Sequence, residues 1–501
     1  MLLGIDIGLT SSKAVVFDNA GVVISTAARP TRNVAPRPGW SERQPDEFWL
    51  DLAGIIRDAV AAHADQIEGV AVAAHGDGLW LVDDKLRAVR PGITSLDARA
   101  GFQANLIQRE LGVSGLVRLG KLPWASHPSA LLRWLQEHEP AVVQRAAWAF
   151  SAKDFIRSCL TGVPASDLTD AGAAFTDIAR QTVSTEVLEL QGLGGLDRLV
   201  PPVLLPDEIA GVVTAAAAAA TGLREGTPVV AGLHDTAAAA LGCGAASPGD
   251  VSLLSGTFSV NQQVVDSPDT SPDWVLNSFV HRGQWVRDSS SPASTANLDW
   301  FIREICPDIE PAVRRSTGTL LTHFGLTEPD ATTRANRPYF LPQMNGSLND
   351  SRHSGGFIGL RTSHTRADML FSVVESLAFN HRLHLSLMGI SAGQDEPPLV
   401  HVAGGISRSA WWRQMLADVL AVPVSTPRLA ENGALGAAIV AGSGVGVFGS
   451  IDEGVTRTAT PGRALPPSSE RSVAFFEHRY QRYLELIEAL NGWWSGGQAY
   501  P

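Results

Sequence analysis

The chain opens on a run that leaves little conformational freedom: Met1-Leu-Leu-Gly-Ile-Asp-Ile-Gly-Leu-Thr-Ser-Ser-Lys-Ala-Val-Val-Phe-Asp18. An apolar segment ends at Asp6, a short turn carries Gly8, Thr10, Ser11, Ser12 and Lys13, and a β-branched segment closes on Asp18. Short apolar runs bounded by glycine and small polar residues read as two strands joined by a tight loop. Such a loop offers backbone N–H groups, hydroxyls and one cation, the groups a polyphosphate needs. Asp6, at the strand end, is placed to hold a magnesium ion or its water. An ordinary hairpin at the start of a sheet accounts for the same residues equally well. The rest of the chain has to decide between them.

A second stretch of the same physical type lies at Val251-Ser-Leu-Leu-Ser-Gly-Thr-Phe-Ser-Val260, with Ser255, Gly256, Thr257 and Ser259 in its loop. Two such hairpins, one per half, predict two related domains facing each other across a nucleotide. Length agrees, since 501 residues exceed what a single core accommodates. The best linker candidate is Gly244-Ala-Ala-Ser-Pro-Gly-Asp250, where small and turn residues cluster.

Composition removes several function classes. The net charge of −12 is spread along the chain without a basic stripe, which argues against nucleic-acid and anionic-membrane partners. Cys159, Cys243 and Cys306 are far apart and odd in number, fitting neither a disulfide framework nor a zinc site. They indicate a reducing compartment, and the absence of a basic leader at Met1 predicts the cytoplasm. The alanine run Ala215 to Ala220 falls well short of the ~18 residues of a membrane span.

Between the hairpins, Phe48, Leu52, Ile55, Ile56 and Val60 recur at helical spacing from about Asp46. Gly69 to Ala74 reads as a buried strand delivering His75-Gly76-Asp77-Gly78 to a loop, and Asp97 opens a polar turn before a helix. Ala165 to Asp170 is a turn with two acids. Pro228 to Asp235 is a strand ending in Gly232, His234 and Asp235, followed by an alanine-rich helix. Farther on, Leu399 to Gly405 ends a strand in a glycine pair, Gly404-Gly405, before Ser409 and an amphipathic helix over 410–420. A Gly-Gly turn opening a helix permits close backbone approach by a flat or anionic ligand. Asn432 to Ala438 starts a small-residue helix expected to pack beside that one. Phe476, Tyr480, Tyr483, Ile487 and Leu490 form an apolar stripe on a C-terminal helix, read as core or docking surface.

This ordered set resembles the FGGY carbohydrate kinases. Gly4 to Lys13 resembles the family's first phosphate loop, Gly232-Leu-His-Asp235 its catalytic segment, Ser255-Gly-Thr257 its second phosphate loop, and Ala403 to Ser409 its adenosine loop. Gly355 to Leu360 followed by Asp368 to Glu375 is similar to the long C-terminal signature. The N-terminal signature is partial: Leu131 stands where most members carry lysine, which bears on the sugar rather than on phosphate.

The resemblance implies a two-domain α/β fold of the actin, hexokinase and Hsp70 type (ribonuclease H-like), with an interdomain cleft. Residues 1–243 would form the N-terminal domain, binding sugar and phosphate. Residues 244–501 would form the ATP-binding C-terminal domain with its terminal helix. ATP and Mg²⁺ are the implied cofactors, a small sugar or polyol is the partner, and a homodimer is left open.

Phosphoryl transfer to an alcohol needs a carboxylate against the attacking hydroxyl, and the resemblance gives that role to Asp235. An N-cap is the competing structural role for an Asp at a helix start. Asp6 is assigned to the metal shell. Gly8, Thr10, Ser11, Ser12, Lys13, Gly256 and Thr257 are assigned to phosphates, and Gly404, Gly405 and Ser409 to the adenine side. For the sugar, the candidates are His75, Gly76, Asp77, Asp97, Trp124 and His234. His75-Gly76 resembles the xylulokinases, whereas Asp77-Gly78 and Trp124 to Pro140 are similar to the erythritol and L-xylulose kinase branch. The expected reaction is transfer of the γ-phosphate to a terminal hydroxyl of a linear ketopentose such as xylulose. The alternatives are a polyol kinase acting on erythritol or glycerol, a hexose kinase, and an actin- or chaperone-like ATPase switch without a sugar.

Overall fold

The computed structural model describes residues 1–256, 258–314, 317–326, 336–344, 346, 353–391, 397–427, 431–459 and 462–496. Thr257 lies outside them.

The chain forms two compact units that are not two contiguous halves. The first comprises Met1–Pro248 with Val264–Arg287 and Glu431–Thr460; the second comprises Gly249–Gln263, Asp288–Ala430 and Pro461–Pro501. Residues 264–287 and 431–460 thus pack with Met1–Pro248.

In the first unit the opening hairpin is β1 (Leu2–Ile7) and β2 (Ser11–Phe17), extended by β3 (Val23–Pro30). β4 (Gly69–Ala74) lies parallel to β1 with Asp6 opposite Ala73, and Asp6 faces Lys13 across the hairpin. β5 (Ile209–Val212), β6 (Pro228–Val230) and β7 (Leu233–His234) complete the sheet, in the order β5-β6-β4-β1-β2-β3 with β7 also paired to β4. Every residue of β4 is buried, as an unbroken small apolar run in a central parallel strand should be. The helix Pro45–Val60 buries Phe48, Leu52, Ile55, Ile56 and Val60 against this sheet.

The helix Asn432–Gly444 packs on β1, β4 and the helix Asp235–Cys243, not beside the 410–420 helix as the sequence suggested. Glycine makes the approach possible. A Cβ at Gly4 would collide with the carbonyl oxygen of Ala434, and one at Gly436 with that of Ala238. Backbone-to-backbone contact of this kind leaves no periodic apolar stripe to read.

In the second unit β8 (Val251–Ser255) pairs antiparallel with β9 (Ser259–Val265) and parallel with β10 (Val400–Gly404), which in turn pairs with β11 (Val424–Ser425). The helices Arg366–Leu387, Ala410–Leu420 and Glu470–Gly496 belong to this unit, and the last buries Phe476, Tyr480 and Tyr483. Among the described residues no helix is long and apolar enough to cross a membrane.

Candidate active site

Parallel pairing of β7 with β4 sets His234 opposite Ala74, so the ends of both strands deliver polar residues to one place. The N-cap of the helix that follows is His234, not Asp235: its ring Nδ1 accepts the Thr236 amide at 3.2 Å. Asp235 is therefore the first residue inside the helix, with its carboxylate about a third exposed and Oδ1 at 3.1 Å from His234 Nδ1. Burial opposes a charge on His234, but the hydrogen bond and charge of Asp235, helped by Asp170 and Asp77, hold its pKa at about 9.

His75 is buried, with Nδ1 near the Gly76 carbonyl at 3.2 Å and the Ser95 hydroxyl at 3.4 Å. Its Nε2 is buried without a protein partner. Burial first, then the positive charge of Arg43, bring its pKa down to about 4. The ring is neutral at physiological pH and has one polar nitrogen left for a ligand. Asp77 adopts φ 57°, a left-handed conformation uncommon for a residue with a side chain and often met at functional sites. Trp124 Nε1 donates to its Oδ2 at 3.1 Å. Burial raises the Asp77 pKa, while Lys121, His234 and Trp124 oppose the rise.

Asp97 is used differently. Its Oδ2 accepts the Ser41 amide at 2.6 Å and Arg99 Nη2 at 2.8 Å, and its Oδ1 accepts the Arg99 amide and Nε. Four donors occupy the carboxylate, so it fixes the loop around Ser41 and Arg99 and has no oxygen to spare for a hydroxyl.

In the opening hairpin Gly8 donates to the Ser11 carbonyl at 3.0 Å, closing the turn. The Ser11 and Ser12 hydroxyls meet the Arg29 carbonyl and the Thr31 hydroxyl, and Thr10 is the exposed residue of the loop. Lys13 pairs with Glu431 at 2.8 Å. Asp6 lies beside the start of the helix Asn432–Gly444, where a Cβ at Gly433 would come 2.6 Å from its Oδ2. Burial and then the charge of Asp235 raise the Asp6 pKa to about 7; Lys13 lowers it and Glu431 raises it. A carboxylate crowded by like charge is a good divalent-cation ligand. Among the described residues no group of three or more acids, histidines or cysteines is assembled to hold a metal alone. Such an ion would have to complete its shell with water and substrate phosphate, which is the usual habit of magnesium.

In the second unit Gly256 accepts the Ser294 and Thr295 hydroxyls at 2.8 and 2.5 Å, and the Ser255 hydroxyl beside it is buried without a protein partner. Gly404 has φ 96°, and a Cβ there would collide with the Ser255 carbonyl; Gly405 has open space around its Cα. Ser409 caps the helix Ala410–Leu420, accepting the Trp412 amide at 3.3 Å.

Several residues at these sites carry no local sequence signal. Glu431, Gly433 and Lys121, with its hydrogen bond to Asn277, are brought in from distant segments. The two acids of the 165–170 turn were visible, but their buried partner Lys153 was not.

Residues 1–242 match the N-terminal domain of the FGGY family of carbohydrate kinases, and residues 251–445 match its C-terminal domain. The chain belongs to this family. It is an ATP-dependent carbohydrate kinase. It is 30% identical to the L-xylulose/3-keto-L-gulonate kinase of Escherichia coli K12, over 98% of this chain and 97% of that one. It is 31% identical to a probable L-xylulose kinase of Pasteurella multocida, over 97% and 98% of the two chains. Among solved structures it is similar to the xylulose kinase of Rhodospirillum rubrum, with a TM-score of 0.88, 28% identity and 99% of each chain covered. In this kinase Asp6 lies in β1, His75 directly follows β4 and Asp235 directly follows β7, three strands of one sheet.

Proposed function

We propose that the kinase phosphorylates a terminal hydroxyl of a linear ketopentose such as xylulose, with Asp235 as the base. The observation that carries this reading is the unpartnered, buried Nε2 of a neutral His75 in the same strand-end cluster as the Asp235 carboxylate. One group is free to hold a substrate oxygen and the other to accept a proton. Gly76, Asp77 and Trp124 supply the remaining polar and apolar contacts. Asp97 drops out of this set, because its four donors make it a loop support. The relatives' names support the substrate class.

Deprotonating a sugar alcohol needs a carboxylate within hydrogen-bond reach, and such a base contributes about 10²–10⁴ in rate. Asp235, held at a helix start and about one third exposed, meets that requirement. We assign the Gly8–Thr10 turn to phosphate, assign Gly256 and Thr257 likewise, and assign Gly404 and Gly405 to the adenine side. Ser11 and Ser12 keep the first turn in shape, Ser409 does so for the third, and Lys13 ties the hairpin to Glu431. Asp6 would hold Mg²⁺, which supplies charge neutralisation on the phosphates when bound. Cys159, Cys243 and Cys306 form no disulfide among the described residues, which fits work in a reducing cytoplasm.

A coupled ADP-release screen over D- and L-xylulose, D- and L-ribulose, erythritol and glycerol tests this. A xylulose isomer should give the highest kcat/KM. A higher value for erythritol or glycerol would replace the ketopentose by a polyol.

A further inference from the structure

His234 is anchored from behind. Its amide donates to Thr169 Oγ1 at 2.8 Å, Thr169 donates to Asp167 at 2.6 Å, and Asp167 pairs with buried Lys153 at 3.0 Å. Its ring occupies the space that glycine leaves at position 76, for a Cβ there would collide with Nε2. With that edge filled, Nδ1 points back to the helix start and meets two groups. Asp235 Oδ1 lies at 3.1 Å, and the Thr236 amide at 3.2 Å with the Thr236 hydroxyl at 2.9 Å.

These contacts belong to different protonation states of one nitrogen. An amide N–H only donates, so it needs the lone pair of a ring unprotonated at Nδ1. A carboxylate only accepts, so it needs Nδ1–H. The titratable groups that face the ring come from four places. They are Asp235 on its own helix, Asp170 on the turn Leu168–Ala171, Asp77 after β4, and His75 at the end of β4. Three carboxylates around one imidazole favour the charged ring at neutral pH, in keeping with its raised pKa.

We propose that His234 is a positioning residue for Asp235. The charged ring holds the carboxylate through Nδ1–H, and the neutral ring yields Nδ1 to the Thr236 amide and lets the carboxylate go. The inference rests on Asp235 being the base of the proposed reaction. Asp235 thereby keeps one orientation in a neighbourhood crowded with other acids, and Gly76 is required because only glycine leaves room for the ring.

Two measurements test it, and the first needs no turnover. With histidine labelled at Cε1 and the His234 signal assigned by its loss in His234→Asn, the ring is titrated between about pH 6 and pH 10 in wild type and Asp235→Asn. A midpoint near 9 in wild type, lower by about one unit or more in Asp235→Asn, supports the pair. An equal midpoint in both, or one near 6.5 in wild type, overturns it. The second is the pH dependence of kcat and KM. Wild type should lose kcat as the ring deprotonates, and His234→Asn and Gly76→Ala should lack that alkaline limb. Their kcat should fall by about tenfold or more, and in His234→Asn the sugar KM should change by less than about threefold. A raised sugar KM with the alkaline limb retained would make His234 a sugar ligand instead. If His234→Asn does not fold, His234→Gln takes its place. If no sugar supports ADP release at any pH, the base assignment fails, while the titration still decides whether His234 and Asp235 are paired.

Discussion

The ammonium of Lys13 and the carboxylate of Glu431 meet at 2.8 Å across a separation of 418 residues. Glu431 immediately precedes the helix whose Gly433 lies against Asp6, so the pair ties the opening hairpin to that helix beside the Asp6 carboxylate. Both side chains are partly exposed, 33% and 25%, which limits the pair to the modest value of a solvent-screened bridge. A double-mutant cycle over Lys13→Met and Glu431→Gln should give a coupling of about 0.5–1 kcal/mol in unfolding. Because Lys13 is already paired, Lys13→Met should raise the KM for ATP by less than about tenfold. Zero coupling together with a much larger KM effect would return Lys13 to the phosphates.

Asp235→Asn keeps the size and the helix position of the side chain and removes its ability to take a proton. Sugar-dependent kcat should fall by about 10²–10⁴. ATP affinity, measured by calorimetric titration, should stay within about threefold of wild type. Near wild-type ADP release in this variant would mean that another group is the base.

Much of this was legible because strand ends and glycine turns are written locally. The hairpin at Leu2–Phe17, the buried strand Gly69–Ala74 and the helix Ala410–Leu420 follow from apolar period and turn residues alone. What escaped depended on distant partners. Asp97 looked like a ligand because an Asp-x-Arg step does not by itself announce that Arg99 and the distant Ser41 fill its oxygens. The helix Asn432–Gly444 was assigned the wrong neighbour because small residues on all sides point nowhere in particular. Its association with β1 rests on Gly4, and the return of 431–460 to the first unit could not be inferred from chain order. His234 read as a sugar candidate, since the space its ring occupies is defined by an absent Cβ at Gly76.

Gly404 and Gly405 are neighbours with opposite requirements. Gly404 has a left-handed φ and no room for a Cβ against the Ser255 carbonyl, whereas Gly405 has neither restriction. Gly404→Ala should therefore lower Tm clearly, since φ strain alone costs about 1–2 kcal/mol before any clash. Gly405→Ala should leave Tm within about 1 °C of wild type and raise the KM for ATP, if the adenine side lies there. Differential scanning calorimetry with ATP kinetics separates the two. A neutral Gly404→Ala would contradict the close register of β8 and β10, and an unchanged ATP KM in Gly405→Ala would move the nucleotide away from this turn.

Lys153 stands fully buried among Asp154 at 2.5 Å, Asp167 at 3.0 Å and Asp170 at 3.4 Å, and donates to the Ala231 carbonyl at 3.3 Å. Burial opposes its charge, but the three carboxylates hold its pKa above the ordinary lysine value. Removing one partner of such a cluster leaves uncompensated charge and costs about 3–5 kcal/mol. Lys153→Met should thus lower Tm substantially. The pH dependence has a definite sign. Asp170, pushed up to about 6 by burial against the opposing charge of Lys153, binds its proton more tightly folded than unfolded. Its contribution to stability is therefore greatest below its ordinary value and declines as pH rises through 6. Without the lysine the acids are left to neutralise themselves by taking up protons, which acidic solution allows. The Tm gap between wild type and Lys153→Met should accordingly be smaller at about pH 5 than at about pH 8. A gap that is constant, or wider in acid, would show that Lys153 supports the fold by packing rather than by charge.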